Sequence, residues 1–262
     1  MARHHGRTAG RALAALALAG LAGAACGDDT ATETTDATEA PEAPVIDPGD
    51  GGNYAPNLDP ADFVAAVDNP YLPLTPGARW VYEGSSDGEP ERIEVVVTDQ
   101  RRAIMGISAV VVRDTVSVDG EVAEDTYDWF AQDRDGNVWY LGEDSREYED
   151  GQVSSTEGSW EAGVDGALPG IVMPAHPVAG QAYRQEFYPG EAEDLAEVTE
   201  LGATKAVGPQ EYGDVLVIKE WNPLEPEVVE QKYYAPGLGM IAEETVAGGD
   251  DRAELIETGA QP

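Results

Sequence analysis

From Trp80 onward, β-branched and aromatic residues recur in short runs separated by turn signals, and no helical period interrupts them. Trp80 and Tyr82 alternate with Val81 and Glu83. Residues 93–98, 109–118 and 125–130 follow. Asp119-Gly120 and Asp135-Gly136 are hairpin signals, and residues 137–141 return from the second. Residues 183–188, 195–201, 215–221, 228–234 and 240–246 continue the series, and residues 252–257 add a last strand. Many short strands at even, turn-marked spacing predict an all-β fold, an antiparallel sandwich or partly closed barrel.

The series echoes itself. Gly77, Trp80 and Glu83 recur 103 residues later as Gly180, Tyr183 and Glu186. Val110-Val111-Val112 returns at 105 as Val215-Leu216-Val217, and Trp129-Phe130-Ala131 at 104 as Tyr233-Tyr234-Ala235. This predicts two pseudo-repeated β meanders, about residues 71–150 and 172–250. Two half-sheets closing on each other would leave a seam or cavity between them. The link between them, residues 151–170, is long for a connection inside one domain, and such loops are functional, self-packed or mobile.

What precedes the strands is of another kind. Arg3, Arg7 and Arg11 precede an apolar Ala/Leu/Gly run that ends at Ala25, so residues 1–25 read as a signal peptide. The run falls short of the ~20 apolar residues that span a bilayer. Cys26 follows in Leu21-Ala22-Gly23-Ala24-Ala25-Cys26. This resembles the lipobox of bacterial lipoproteins, with Gly23 where a leucine is usual, and it implies lipidation of Cys26. The alternative is cleavage after Ala24, which would leave a free thiol. Residues 26–56 are acidic and poor in large apolar groups, and read as a disordered tether. A single β-rich domain, residues 57–262, would hang from it. It opens with one short N-terminal helix: Asp59 as N-cap, Pro60 at the first position, and Phe63, Val64 and Val67 as the apolar face.

Charge narrows the partners. The 51 acids all follow Cys26, while three of the 15 Lys and Arg precede it. The mature chain therefore carries 12 bases against 51 acids, a formal charge of −39. Such a surface repels nucleic acid.

The inventory also narrows the chemistry. After Cys26 the chain has one histidine, His176, and no cysteine. A Ser-His-Asp triad would need His176, and no Gly-x-Ser-x-Gly elbow accompanies it. No catalytic residue is assigned. Two carboxylates suffice for a glycosidase, but among 51 acids no pair stands out. Calcium is the one cofactor with a motif. Asp133, Asp135 and Asn137 place oxygens at alternate positions around Gly136, although the same residues read equally as an Asp-Gly hairpin turn. Trp160 lies in the connecting loop and is the aromatic candidate for a ligand contact.

Residues 67–74 with 80–84, residues 125–133, and Lys232-Tyr233-Tyr234-Ala235-Pro236-Gly237-Leu238-Gly239 resemble a group of uncharacterised secreted lipoproteins frequent in actinobacteria. The resemblance covers nearly all of the folded region and brings no activity or site residue with it. The expectation is an exported, lipid-anchored binding or interaction protein on the extracytoplasmic face of the cell membrane. Its ligand would be a small apolar molecule or lipid between the two β halves, or its partner another envelope component. The alternatives are a calcium-dependent adhesion module and a carboxylate-based glycoside hydrolase.

Overall fold

The structure, a computed structural model, describes residues 54–86 and 88–260 of the 262. The signal peptide, Cys26 and nearly all of the proposed tether lie outside the described residues. Tyr54, three residues before the expected domain start, is already packed: its hydroxyl donates to the Pro169 carbonyl at 2.6 Å, and its ring meets Phe187 edge-on.

The expected N-terminal helix is one 3-10 turn, Pro60–Asp62, capped as anticipated by the Asp59 carboxylate on the Ala61 N–H. It stops there because Phe63 and Val64 pair with Asp133 and Gln132. A sheet edge with unpaired backbone outcompetes a three-residue helical face.

The strands in chain order are β1 (Phe63–Val64), β2 (Asp68–Asn69), β3 (Leu72–Pro73), β4 (Ala78–Ser86), β5 (Glu89–Ile104), β6 (Ile107–Val118) and β7 (Glu121–Asp133). Then come β8 (Val138–Asp144), β9 (Glu147–Glu149), β10 (Gln152–Ser155), β11 (Trp160–Glu161), β12 (Leu168–Met173), β13 (Ala182–Arg184) and β14 (Glu186–Phe187). The chain ends with β15 (Leu195–Val207), β16 (Gln210–Asn222), β17 (Glu225–Ala235), β18 (Gly239–Ala247) and β19 (Arg252–Ala260). Strand makes up 68% and helix 1%, so the all-β expectation holds.

The strands form one antiparallel sheet nearly closed into a barrel. From β13 it runs through β15, β16, β17, β18, β19, β4, β5, β6, β7 and β8 to β12. The two ends meet at a seam. There β12 reaches β14 through only two residue pairs, Leu168 with Phe187 and Pro169 with Glu186. The close approach needs glycine: a Cβ on Gly170 would sit 2.2 Å from the Gln185 carbonyl carbon.

The two halves are built alike. Meander β4–β8 and meander β15–β18, headed by β13, have the same pairing order, and β12 follows the first as β19 follows the second. Gly77 and Gly180 both adopt positive φ, +84° and +83°. Their N–H groups donate to Val97 and Val198 across equivalent turns, at 2.8 and 2.7 Å. Thr98 and Thr199, the next residues, each bridge an irregularity by donating to the Val111 and Val217 carbonyls. Only the second half's junction is fully zipped, by eight β19–β4 pairs against two at β12–β14.

Residues 67–74 close one end by tying together the turns of both halves. The Gln132 side-chain Oε1 accepts from the Asp68 and Asn69 N–H groups. Asn69 Nδ2 donates to the Gly136 and Pro174 carbonyls, and Gly237 N donates to the Pro70 carbonyl.

Candidate functional site: a carboxylate nest inside the barrel

Register shows which side chains share the inner face, because directly opposite residues point the same way. One row runs Trp80, Val95, Asp114, Thr126; a second Tyr82, Ile93, Val116, Glu124; a third Val97, Val112, Asp128, Glu143. The face points inward. Asp114 on β6 senses the charge of Glu243 on β18, four strands away along the sheet, and Tyr82 senses Tyr234 and Glu243. Phe130, Tyr140, Leu216, Ile218 and Tyr234 fill the same interior.

The inner rows are therefore not simply apolar. Asp114, Glu124, Asp128, Glu143 and Glu186 are all less than a tenth exposed. Glu124 is the best satisfied, accepting from the Thr126 hydroxyl at 2.7 Å and from Ser145 Oγ at 3.3 Å. Asp128 accepts from the Tyr140 hydroxyl at 2.7 Å. Asp114 Oδ1 and Glu143 Oε2 have no hydrogen-bond partner, while Glu186 lies against Asp194 and the Trp160 indole.

Burial is the first cause of every raised pKa in this cluster, because the charged form loses its water. Asp128 is pushed up to about 7 by burial and the Glu124 charge, against the pull of the Tyr140 hydrogen bond. Asp114 is held well above the carboxylate range by burial, then by Asp128, Glu124, Glu243 and Glu91. Glu143 rises for the same reason, with Asp128 and Glu124 as its nearest like charges. Glu186 rises through burial and then Asp194, while the Trp160 indole draws it partly back.

Glu143 and Glu186 place the nest beside the seam: β8, which carries Glu143, pairs with β12, and β14 carries Glu186. Aromatic walls stand next to them. Phe130 and Tyr140 stack at 5.0 Å, and Trp160 meets Tyr140 edge-on at 5.4 Å.

The residues singled out by sequence fare differently. Trp160 is brought into this constellation: β11 pairs with β8 opposite Glu143, the ring is 5% exposed, and its indole acts on Glu186. The long linker around it is ordered by packing onto β8, with Ala162 and Ala167 buried. Asp133, Asp135 and Asn137 form the β7–β8 turn. The Asp133 carboxylate accepts from Asn137 N, Asn137 Nδ2 and Trp139 Nε1 at 2.8–2.9 Å. The Asn137 side-chain Oδ1 accepts from Ala175 N. Among the described residues no three His, Cys, Asp or Glu side chains converge as metal ligands. His176 is exposed in a bend.

Sequence reasoning missed the nest itself. A usable signal was the alternation phase: Asp114 falls in step with Val112 and Val116, and Asp128 with Thr126 and Phe130.

No known protein family matches the chain, and no curated protein is similar to it in sequence. Two solved structures are similar. One, described as an exported protein with YmcC-like fold, is from Bacteroides fragilis; identity is 13% and TM-score 0.43, covering 72% of this chain and 98% of that one. The other, described as a lipoprotein, is from Parabacteroides distasonis, with 11% identity, TM-score 0.33 and the same coverage. Neither source is an actinobacterium, and similarity at this level carries no conclusion about function.

Proposed function

We propose that this chain is an exported binding protein, anchored at Cys26 to the extracytoplasmic face of the cell membrane, that takes a small polar ligand into the barrel beside the β12–β14 seam. The observation that carries the reading is the pair of buried carboxyl oxygens without donors on Asp114 and Glu143. A buried carboxyl left without a partner costs ~1–3 kcal/mol even when protonated, and more when ionised, and valine would fill these positions without that cost. A bound ligand that donates hydrogen bonds or carries positive charge offsets it. The apolar-lipid version of the reading is disfavoured by the same inward carboxylates.

Native mass spectrometry of the mature chain extracted from its own membrane tests this. A retained small molecule, lost in Glu143→Gln with Glu186→Gln, supports the reading. A bare chain that no polar compound stabilises against heat refutes it. The anchor is tested separately by acyl labelling, which Cys26→Ser should abolish.

One observation favours a second reading. Asp128, with a pKa of about 7, stands opposite Glu143, an arrangement a carboxylate-based hydrolase also uses. Turnover of chromogenic glycosides that disappears in Asp128→Asn would establish it.

A further inference from the structure

The pseudo-repeat sharpens the identity of the ligand. In the second half, Ile218 stands opposite Lys232, and Lys232 opposite Glu243, with Glu220 two residues along β16 from Ile218. The Lys232 ammonium donates to Glu220, 3% and 6% exposed respectively. Glu220 also accepts from Gln185 Nε2 at 2.8 Å. This half carries its own buried cation.

The equivalent positions in the first half follow from the register. The register moves the sequence echo on this strand by one residue, from 105 to 106: Val111 pairs with Trp129 as Val217 pairs with Tyr233, and Phe130 with Tyr140 as Tyr234 with Met240. Counting from these pairs, Glu220 corresponds to Asp114, Glu243 to Glu143, and Lys232 to Asp128. The first half keeps both acids and replaces the lysine between them with a third. Asp128 ends at its carboxyl, where Lys232 runs on to its ammonium. Tyr140, in place of Met240, takes up one Asp128 oxygen. Asp114 Oδ1 and Glu143 Oε2 face the inner space with no partner, each on a residue more than nine-tenths buried.

We propose that the first half takes from its ligand the group that the second half supplies from Lys232: a primary ammonium, held by Asp114, Asp128 and Glu143. Asp128 stands opposite Glu143 and one pair along from Asp114, and its charge is the first that each of them feels; among the described residues no three of these side chains form a metal-ligand cluster. The stacked Phe130–Tyr140 pair and Trp160 offer an apolar wall for the carbon skeleton, so the ligand class is an alkyl or aryl primary amine. This rests on the binding reading above and deepens it.

The test is titration calorimetry of the mature chain with n-butylammonium in amine-free phosphate buffer. Tetramethylammonium and sodium at equal ionic strength serve as controls. Saturable binding of n-butylammonium alone is expected. Asp128→Lys, which rebuilds the second half's arrangement in the first, should weaken it by roughly thirtyfold or more and raise the melting temperature. If that variant does not fold, Asp128→Asn decides, with the same loss of binding expected. No butylammonium binding, equal binding of tetramethylammonium, or binding unchanged in the deciding variant overturns the proposal. A ligand retained from the membrane that lacks a primary amine also overturns it, while leaving the general binding reading intact.

Discussion

Asp128 makes the stability of this protein depend on pH in the direction opposite to most carboxylates. An unfolded aspartate loses its proton near 3.8, whereas burial and the Glu124 charge hold the folded Asp128 proton up to about 7. Between those values the folded state binds a proton that the unfolded chain has released. Stability is therefore complete below about pH 4 and falls as pH rises through 7. At ~1.4 kcal/mol per pH unit over roughly three units, the loss attributable to this one group is about 4 kcal/mol. Asp114, Glu124 and Glu143 also face it, each raised by burial, so the loss belongs to the group of acids as much as to Asp128. Urea unfolding of the mature chain between pH 4 and 8, in amine-free buffer with half-molar sodium chloride to screen the surface, measures it. The comparison is Asp128→Asn, which keeps the acceptor for Tyr140 and cannot ionise. The unmodified protein should lose stability from pH 4 to 8 more steeply than the variant, by a few kcal/mol. Parallel profiles, or a native profile that rises with pH, would refute the assignment of a buried, raised Asp128.

Other consequences can be checked singly. Lys232→Met leaves Glu220 buried without its cation and should lower unfolding free energy by ~3–5 kcal/mol; adding Glu220→Gln should recover most of it, as chemical denaturation will show. Gly170→Ala drives a methyl into the Gln185 backbone at the seam, so it should lower the melting temperature and raise amide exchange in β12 and β14. Gly213→Ala, where a Cβ meets nothing within 4 Å, should be close to neutral. Trp80→Phe deletes the indole donor to the Leu238 carbonyl, 2.7 Å away, and should destabilise by ~1–3 kcal/mol. Asp133→Ala strips an acceptor from three N–H groups of the β7–β8 turn and should cost ~1–3 kcal/mol. Calcium should raise the melting temperature no more than sodium of equal ionic strength if that turn is only structural; a larger rise in the parent, lost in the variant, would restore the calcium reading.

The strand series was legible because alternation and Asp-Gly turns act locally. Asp119 and Gly120 do take the left-handed conformation, at φ of +54° and +83°, and join β6 to β7. Gly77 and Gly180, which the sequence echo paired, make like hydrogen bonds to Val97 and Val198. The far ends of β5 and β15 were not legible, since residues 99–103 and 202–206 are mostly exposed and hold no large apolar side chain, so they carry no alternating apolar signal. The N-terminal helix was misread because local capping is sound at Asp59, while the strand partner that ends it lies 70 residues away at Asp133. The nest was hidden by abundance. Among 51 acids, nothing local marks the few that face inward; only laying Asp128 over Lys232 exposes the substitution that sets them apart.

The clasp made by residues 54–74 also sets how the molecule bears load. A pull arriving from the chain before Tyr54 first reaches its hydroxyl bond to Pro169 and its ring contact with Phe187, the strands on either side of the seam. Next in line are Asn69 and Pro70, fastened to the turns of both halves at once. Tension is thus shared between the halves before it can unzip any one hairpin, and the contacts it meets first are those beside the β12–β14 seam.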